Sequence, residues 1–456
     1  MKLYMNMTRT RRTALFRLLF CGGISVFLGY TGACITPNGM GDFKAVYYAA
    51  RCLVQHLDPY KVGEPLRVYL AEGRGRVAPS ASFHEVLSLY IYPPTTFMIT
   101  APFALLPFGL AHILWVILTA GSLLLAAFLV WNLAGDSSPG VSLFLICFVL
   151  ANSEMLFVFG NSAGLSVSLC LVAVWCFLQD RFVPAGILCL AVSLAIKPHD
   201  AGLVWLYFLL AGGVYRKRAL QTLAMILALG LPVVLWVTHV APHWLSELSS
   251  NLLTESTHGY LSDPGPASST GHQIGMLINL QSILSVFRDD PRFYNPVSYL
   301  ICGTLLLIWS VHTLRARFSQ PSAKLALAAV ASFTMLVGYH RIIDAKLLLL
   351  TVPACAMLCA QGGTTRRIAL LLNGAAIVLT SDFPLAIFLI LTRKLSLSTN
   401  GLLKQIFMVI LLRPIPFLML AMGIFYLWVY LRSGAARVAA AKTGEQTDTS
   451  LAFARE

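Results

Sequence analysis

Residues 111–133 read AHILWVILTAGSLLLAAFLVWNL, and residues 219–240 read ALQTLAMILALGLPVVLWVTHV. Neither stretch contains Asp, Glu, Lys or Arg. As helices rising 1.5 Å per residue they reach about 33–35 Å, enough to cross a hydrocarbon core of about 30 Å. Further apolar segments run over 18–35, 95–108, 141–158, 162–179, 183–196, 199–213, 296–314, 324–339, 344–361, 367–391 and 404–431. Across the 456 residues, 57% belong to the AVILMFWYC set and 11% are charged, and mean hydropathy is +0.75. Ordinary soluble domains carry roughly a quarter charged residues. That shortage excludes soluble, disordered and fibrous classes, leaving an all-α polytopic membrane protein.

The net charge of +14 does not point to nucleic acid, because the basic residues flank apolar segments and form no stripe interleaved with aromatics. Lys2, Arg9, Arg11, Arg12 and Arg17 precede the first segment without an acid, so a retained first helix with a cytoplasmic N-terminus is expected rather than a cleaved signal peptide. Arg216-Lys217-Arg218, then Arg315, Arg317 and Lys324, then Arg366-Arg367, then Arg432 and Arg437 mark the cytoplasmic side. These clusters predict about 12 crossings in a single membrane domain over 1–437, with a disordered cytoplasmic tail over 438–456. Parity requires one of the short segments 95–108, 183–196 or 199–213 to be broken or re-entrant. Two large loops, 36–92 and 241–295, then fall outside. The implied location is the plasma (inner) membrane, with the active site extracytoplasmic.

Within the first loop, residues 42–57 place Phe43, Val46, Tyr47, Ala50, Leu53, Val54 and Leu57 on one helical face, opposite Lys44, Tyr48, Arg51 and Gln55. That pattern predicts an amphipathic helix on the outer membrane surface, stopped by Asp58-Pro59. The 10 cysteines show no CxxC and no paired loop spacing, so neither a metal site nor a disulfide framework is expected.

Asp42 sits where the first segment ends and this helix begins. It is either a helix N-cap or a carboxylate poised as a general base. Asp58 precedes Pro59, Asp382 lies two residues before Pro384, and both suit turns. Tyr339-His340-Arg341 with Asp344 lies between two segments. There Arg341 and His340 could bind a phosphate, or an Arg341–Asp344 pair could hold a tight turn. Lys197, before Pro198, either neutralises a lipid-linked phosphate or snorkels from a helix end. Asn161, Asn279 and Gln281 are candidates for sugar hydroxyls or for caps. No DxD accompanies Asp42 and HExxH does not occur, so no metal, no cofactor and no metalloprotease chemistry is expected.

Asp42-Phe43, Tyr47-Tyr48-Ala49-Ala50, Leu57-Asp58-Pro59-Tyr60 and Tyr92-Pro93-Pro94, in that order, resemble the opening of glycosyltransferase family 87, polytopic transferases of the type C superfamily. Gly160-Asn161, Ala195-Ile196-Lys197-Pro198 and Asn279-Leu280-Gln281-Ser282 look like later landmarks of that family, which commonly has Gln where Asn161 stands. The resemblance spans about residues 15–360. It implies a polyprenyl-phosphate sugar donor, typically mannose, and a glycolipid or glycan acceptor at the outer face of the lipid bilayer. Asp42 would be the general base of an inverting transfer. His340, Arg341, Lys197, Asn161, Gln281 and Tyr92 would contact substrate. The competing classes are a lipid or sugar transporter or flippase and a non-catalytic envelope scaffold.

Overall fold

The structure, a computed structural model, describes residues 9–36, 39–72, 87–135, 137–258, 262–265, 277–394, 409–410 and 413–453. Apart from one isolated bridge between Leu277 and Arg341, the regular elements among these residues are helices. Eight of them, counting Pro139–Phe159 as one, are long and apolar enough to cross a membrane, against the 12 or so crossings expected. The difference lies in segments that polar residues and prolines cut short. Residues 95–108 yield a 3-10 turn at Pro94–Thr96 and a helix only at Phe97–Ala104, and residues 367–391 divide into Gly363–Leu379 and Asp382–Lys394.

The central helices are Ala163–Leu178 (α8) and Gln320–Val337 (α15). Both are buried on nearly every face, as expected for an apolar helix enclosed by others rather than by lipid. α8 packs against Phe108–Ala134 (α5), Val183–Ile196 (α9), and the 3-10 helix Asp344–Thr351. α15 packs against the last helix, Pro414–Phe453. By contrast, Gly213–Val240 (α11) exposes Leu220, Leu223, Leu227, Leu231 and Leu235. A leucine stripe that wide on the outside of a bundle is a lipid-facing surface.

The interruptions near 95 and 197 are coupled. α9 ends at Ile196, and Pro198–Leu210 (α10) restarts immediately, as the Lys197-Pro198 pair predicts. Carbonyls freed at that break need donors. Thr95 Oγ1 donates to Ala195 O at 2.7 Å, and Thr96 Oγ1 reaches Ala195 O and Ile196 O at 3.3 and 3.4 Å. The turn that interrupts the first segment therefore satisfies the break in the second. Such irregular backbone is tolerated at membrane depth only when protein covers it.

The amphipathic helix forms over Gly41–Val54 (α2), but it does not lie on a surface. Tyr48, on the face expected to be polar and solvated, is fully buried. Its ring stacks on Phe108 and meets Tyr69 edge-on. Arg51 pairs with Glu72 at 3.2 Å and donates to Ala104 O at 2.6 Å, while Tyr47 donates to Leu106 O at 2.7 Å. The polar face thus meets Gly63–Ala71 (α3) and the interrupted segment over 94–106, whose groups complete its hydrogen bonds. The described parts of the two large loops also meet, since Asn251 donates to Tyr60 O at 2.9 Å and Tyr90 O at 3.2 Å. They cap one end of the bundle. At the other end Arg218 pairs with Asp180 and Lys324 donates to Leu133 O. Asp58 makes the expected turn, accepting from Tyr60 N at 2.9 Å.

Gly160 fixes how α2 sits on α8. Its φ is +62°, and a Cβ there would lie 2.5 Å from Met40 Cε and 2.7 Å from Phe43 Cβ. A left-handed conformation costs a non-glycine residue about 1–2 kcal/mol, and the clash adds to that. Gly160→Ala should lower the melting temperature of the purified protein. Gly121→Ala, at a helical position with open space around its Cβ, should leave it unchanged or raise it. Equal melting of Gly160→Ala and wild type would contradict this packing.

Candidate active site

Asp42 lies in the first turn of α2, where the helix dipole favours a carboxylate. It is not the N-cap; that position is Met40, in a left-handed conformation. Instead Asn161 Nδ2 donates to Asp42 Oδ2 at 2.6 Å. Asn161 Oδ1 in turn accepts from Ala163 N at 2.8 Å, capping α8, and from Lys197 Nζ at 3.2 Å. Lys197 Nζ reaches Asp344 Oδ1 at 2.8 Å. Asp344 Oδ2 accepts from Arg341 N at 2.7 Å. A continuous hydrogen-bonded chain therefore links Asp42, Asn161, Lys197 and Asp344, four residues contributed by four separate segments.

The Lys197–Asp344 pair is buried, at 7% and 3% exposure. The sequence offered Arg341 as the aspartate's partner; the structure gives that role to Lys197, and Arg341 contributes its backbone amide. Lys197 does not snorkel, because the helix break turns it inward. Isolated buried charges cost several kcal/mol each, so the pair persists only with its hydrogen bonds complete. Asn161 uses both ends of its amide to hold Asp42 and Lys197.

Around this chain stand Tyr92, Tyr339 and Arg341. The Arg341 guanidinium lies 5.5 Å above the Tyr339 ring. Burial opposes its charge, but Tyr339 and Asp42 more than offset this and hold it above its ordinary range. Burial pushes the Tyr92 phenol up; Lys197 opposes that and Asp42 adds to it. Both residues thus share the electrostatic environment of Asp42. Gln281 is buried at the start of Gln281–Phe287, its Oε1 without a hydrogen-bond partner, and Asn279 caps that helix by accepting from Ser282 N at 3.2 Å. Ile278 N donates to His340 O at 3.0 Å, fastening the second loop to the segment that carries His340 and Arg341.

Two residues escaped the sequence reading. His199 and Asp200 directly follow Lys197-Pro198, and Asp200 is completely buried. Its Oδ1 lies 3.6 Å from His199 Nε2 and 3.5 Å from His340 Nε2. These three are the described residues able to hold a metal ion together. The signal that could have found them is an acid and a histidine in the first turn of an apolar helix.

The family model described as glycosyltransferase family 87 matches residues 90–339, 250 of the 456 residues. The chain belongs to glycosyltransferase family 87. No curated protein and no solved structure matches it. Membership decides for the transferase over the transporter and the scaffold. The matched range includes Tyr92, Asn161, Lys197 and Gln281 and stops just before His340. Asp42 lies outside it, but its hydrogen bond to Asn161 joins it to the matched core.

Lys197→Met leaves Asp344 charged, buried and unpaired, which should cost about 3–5 kcal/mol. Lys197→Met combined with Asp344→Asn should recover most of that stability, since an amide oxygen can still accept from Arg341 N. Thermal melting of the single and double variants checks this. A single variant as stable as wild type would contradict the pair.

Proposed function

We propose that the chain is an inverting hexosyltransferase that moves a sugar, by family resemblance mannose, from polyprenyl phosphate to a glycolipid or glycan acceptor. The observation that carries this reading is the chain from Asp42 through Asn161 to Lys197 and Asp344. It holds a carboxylate and a cation a fixed distance apart within one enclosed site. Inverting transfer from a lipid phosphate needs that pairing, a base for the acceptor hydroxyl and positive charge for the departing phosphate.

Asp42 Oδ2 is held by Asn161, and Oδ1 is assigned to the acceptor proton. As the acceptor oxygen forms its bond to the anomeric carbon, its proton passes to Asp42. The bond from that carbon to the phosphate oxygen breaks, and configuration inverts. The leaving polyprenyl phosphate takes the electron pair, and Lys197, Arg341 and His340 supply positive charge or hydrogen bonds to it. Tyr92 and Gln281, beside this charge, are assigned to the sugar.

The basic end, with Arg218 and Lys324, is assigned to the cytoplasm by the excess of Lys and Arg there. The capped end that holds the site then faces outward from the plasma (inner) membrane. A green fluorescent protein fused to the last residue should fluoresce, and alkaline phosphatase fused there should be inactive. The reverse pattern would overturn the orientation.

Purified protein in nanodiscs, given radiolabelled polyprenyl-phosphate mannose and a membrane lipid extract, should form labelled product. Asp42→Asn should lower the rate by about 10²–10⁴. Undiminished transfer by that variant would overturn the role of Asp42.

A further inference from the structure

Asp200 and His340 are 0% and 1% exposed, and neither carboxylate oxygen nor either imidazole nitrogen makes a hydrogen bond. A buried carboxylate without a partner costs far more than a fold of this kind can leave unanswered. Asp200 Oδ1 stands nearly equidistant from two imidazole nitrogens, at 3.5 Å from His340 Nε2 and 3.6 Å from His199 Nε2. Those separations are long for hydrogen bonds. They are close to the spacing of two ligands on one ion, about 3.0–3.4 Å apart for bonds of about 2.0–2.1 Å. A proton on one histidine would answer one of the two contacts and leave the other open. The rings of His199 and His340 meet edge to face, with centroids 5.0 Å apart.

We propose that His199, Asp200 and His340 bind one divalent transition-metal ion through two imidazole nitrogens and a carboxylate oxygen. Two nitrogens and one oxygen suit zinc and its first-row neighbours. Three protein ligands leave a coordination position open, the arrangement of sites where the metal meets a substrate. The His199 side chain is 43% exposed, so one flank of the site is reachable from outside the bundle. Charge around the site agrees. Asp42, Asp200 and Asp344 outnumber Lys197 and Arg341 by one with both histidines neutral, and a divalent ion reverses that balance to favour a phosphate. The contact of that phosphate with the ion rests on the transfer reading above; the metal site stands on its own geometry.

The test uses the full chain in nanodiscs, stripped with EDTA, desalted and titrated with Co²⁺. Visible absorption and elemental analysis are read with no donor present. Wild type and Asp42→Asn should each bind one Co²⁺ per chain. Asp200→Asn and His199→Gln should each weaken binding at least tenfold. His199 is partly exposed, so its variant keeps the test valid if Asp200→Asn fails to fold. Absence of stoichiometric Co²⁺ in wild type, or equal Co²⁺ in wild type and His199→Gln, would overturn the site. Because no sugar transfer is measured, failure of the transferase reading leaves this result unaffected.

Discussion

Lys197 and Asp344 are 147 residues apart in the chain and 2.8 Å apart in the fold. Placing an ammonium and a carboxylate inside an apolar bundle costs several kcal/mol per ion before any attraction is counted. The cost is met only because every nearby element is built to complete the pair. The break between α9 and α10 turns the lysine inward. Asn161, at the start of α8, accepts from it, and the Arg341 amide binds the far side of the aspartate. Two threonines of the 3-10 turn at Pro94–Thr96 satisfy the carbonyls that the break exposes. Loss of the pair would therefore loosen the four segments that surround Asp42.

The same constraint explains why α2 is enclosed. Asp42 can reach Asn161 only if the first turn of α2 lies against the start of α8, and Gly160 permits that approach because a side chain there would strike Met40 and Phe43. Once the helix is drawn inward, its polar face needs protein partners, and α3 with the segment over 94–106 provides them. Local geometry at one glycine thus carries through packing to the position of Asp42.

Much of this was legible in the sequence. Fold class follows from apolar length and scarce charge. The break at Lys197-Pro198 and the shortness of 95–108 follow from proline chemistry and helix rise. Asp42, Lys197 and Arg341 stood out as ionisable groups at the ends of apolar segments. Periodicity identified α2 as a helix but not its surroundings, since a one-sided apolar stripe describes a membrane-surface helix and an enclosed one equally well. The partner of Asp344 was also out of reach, because 147 residues of separation leave no local trace whereas Arg341 is three residues away. Long apolar runs hid polar interruptions such as Asn152-Ser153 and Thr380-Ser381, where helices end. His199 and Asp200 were passed over because no short motif joins them to His340.

The central claim is that the phosphate of a lipid-linked donor binds where this buried network ends. Cryo-electron microscopy of the protein with a non-transferable polyprenyl phosphonate sugar tests it most directly. The account predicts phosphonate density within hydrogen-bond reach of Lys197 or Arg341, with the anomeric carbon on the Asp42 side. Phosphonate bound at the opposite end of the bundle, near Arg218, would contradict it.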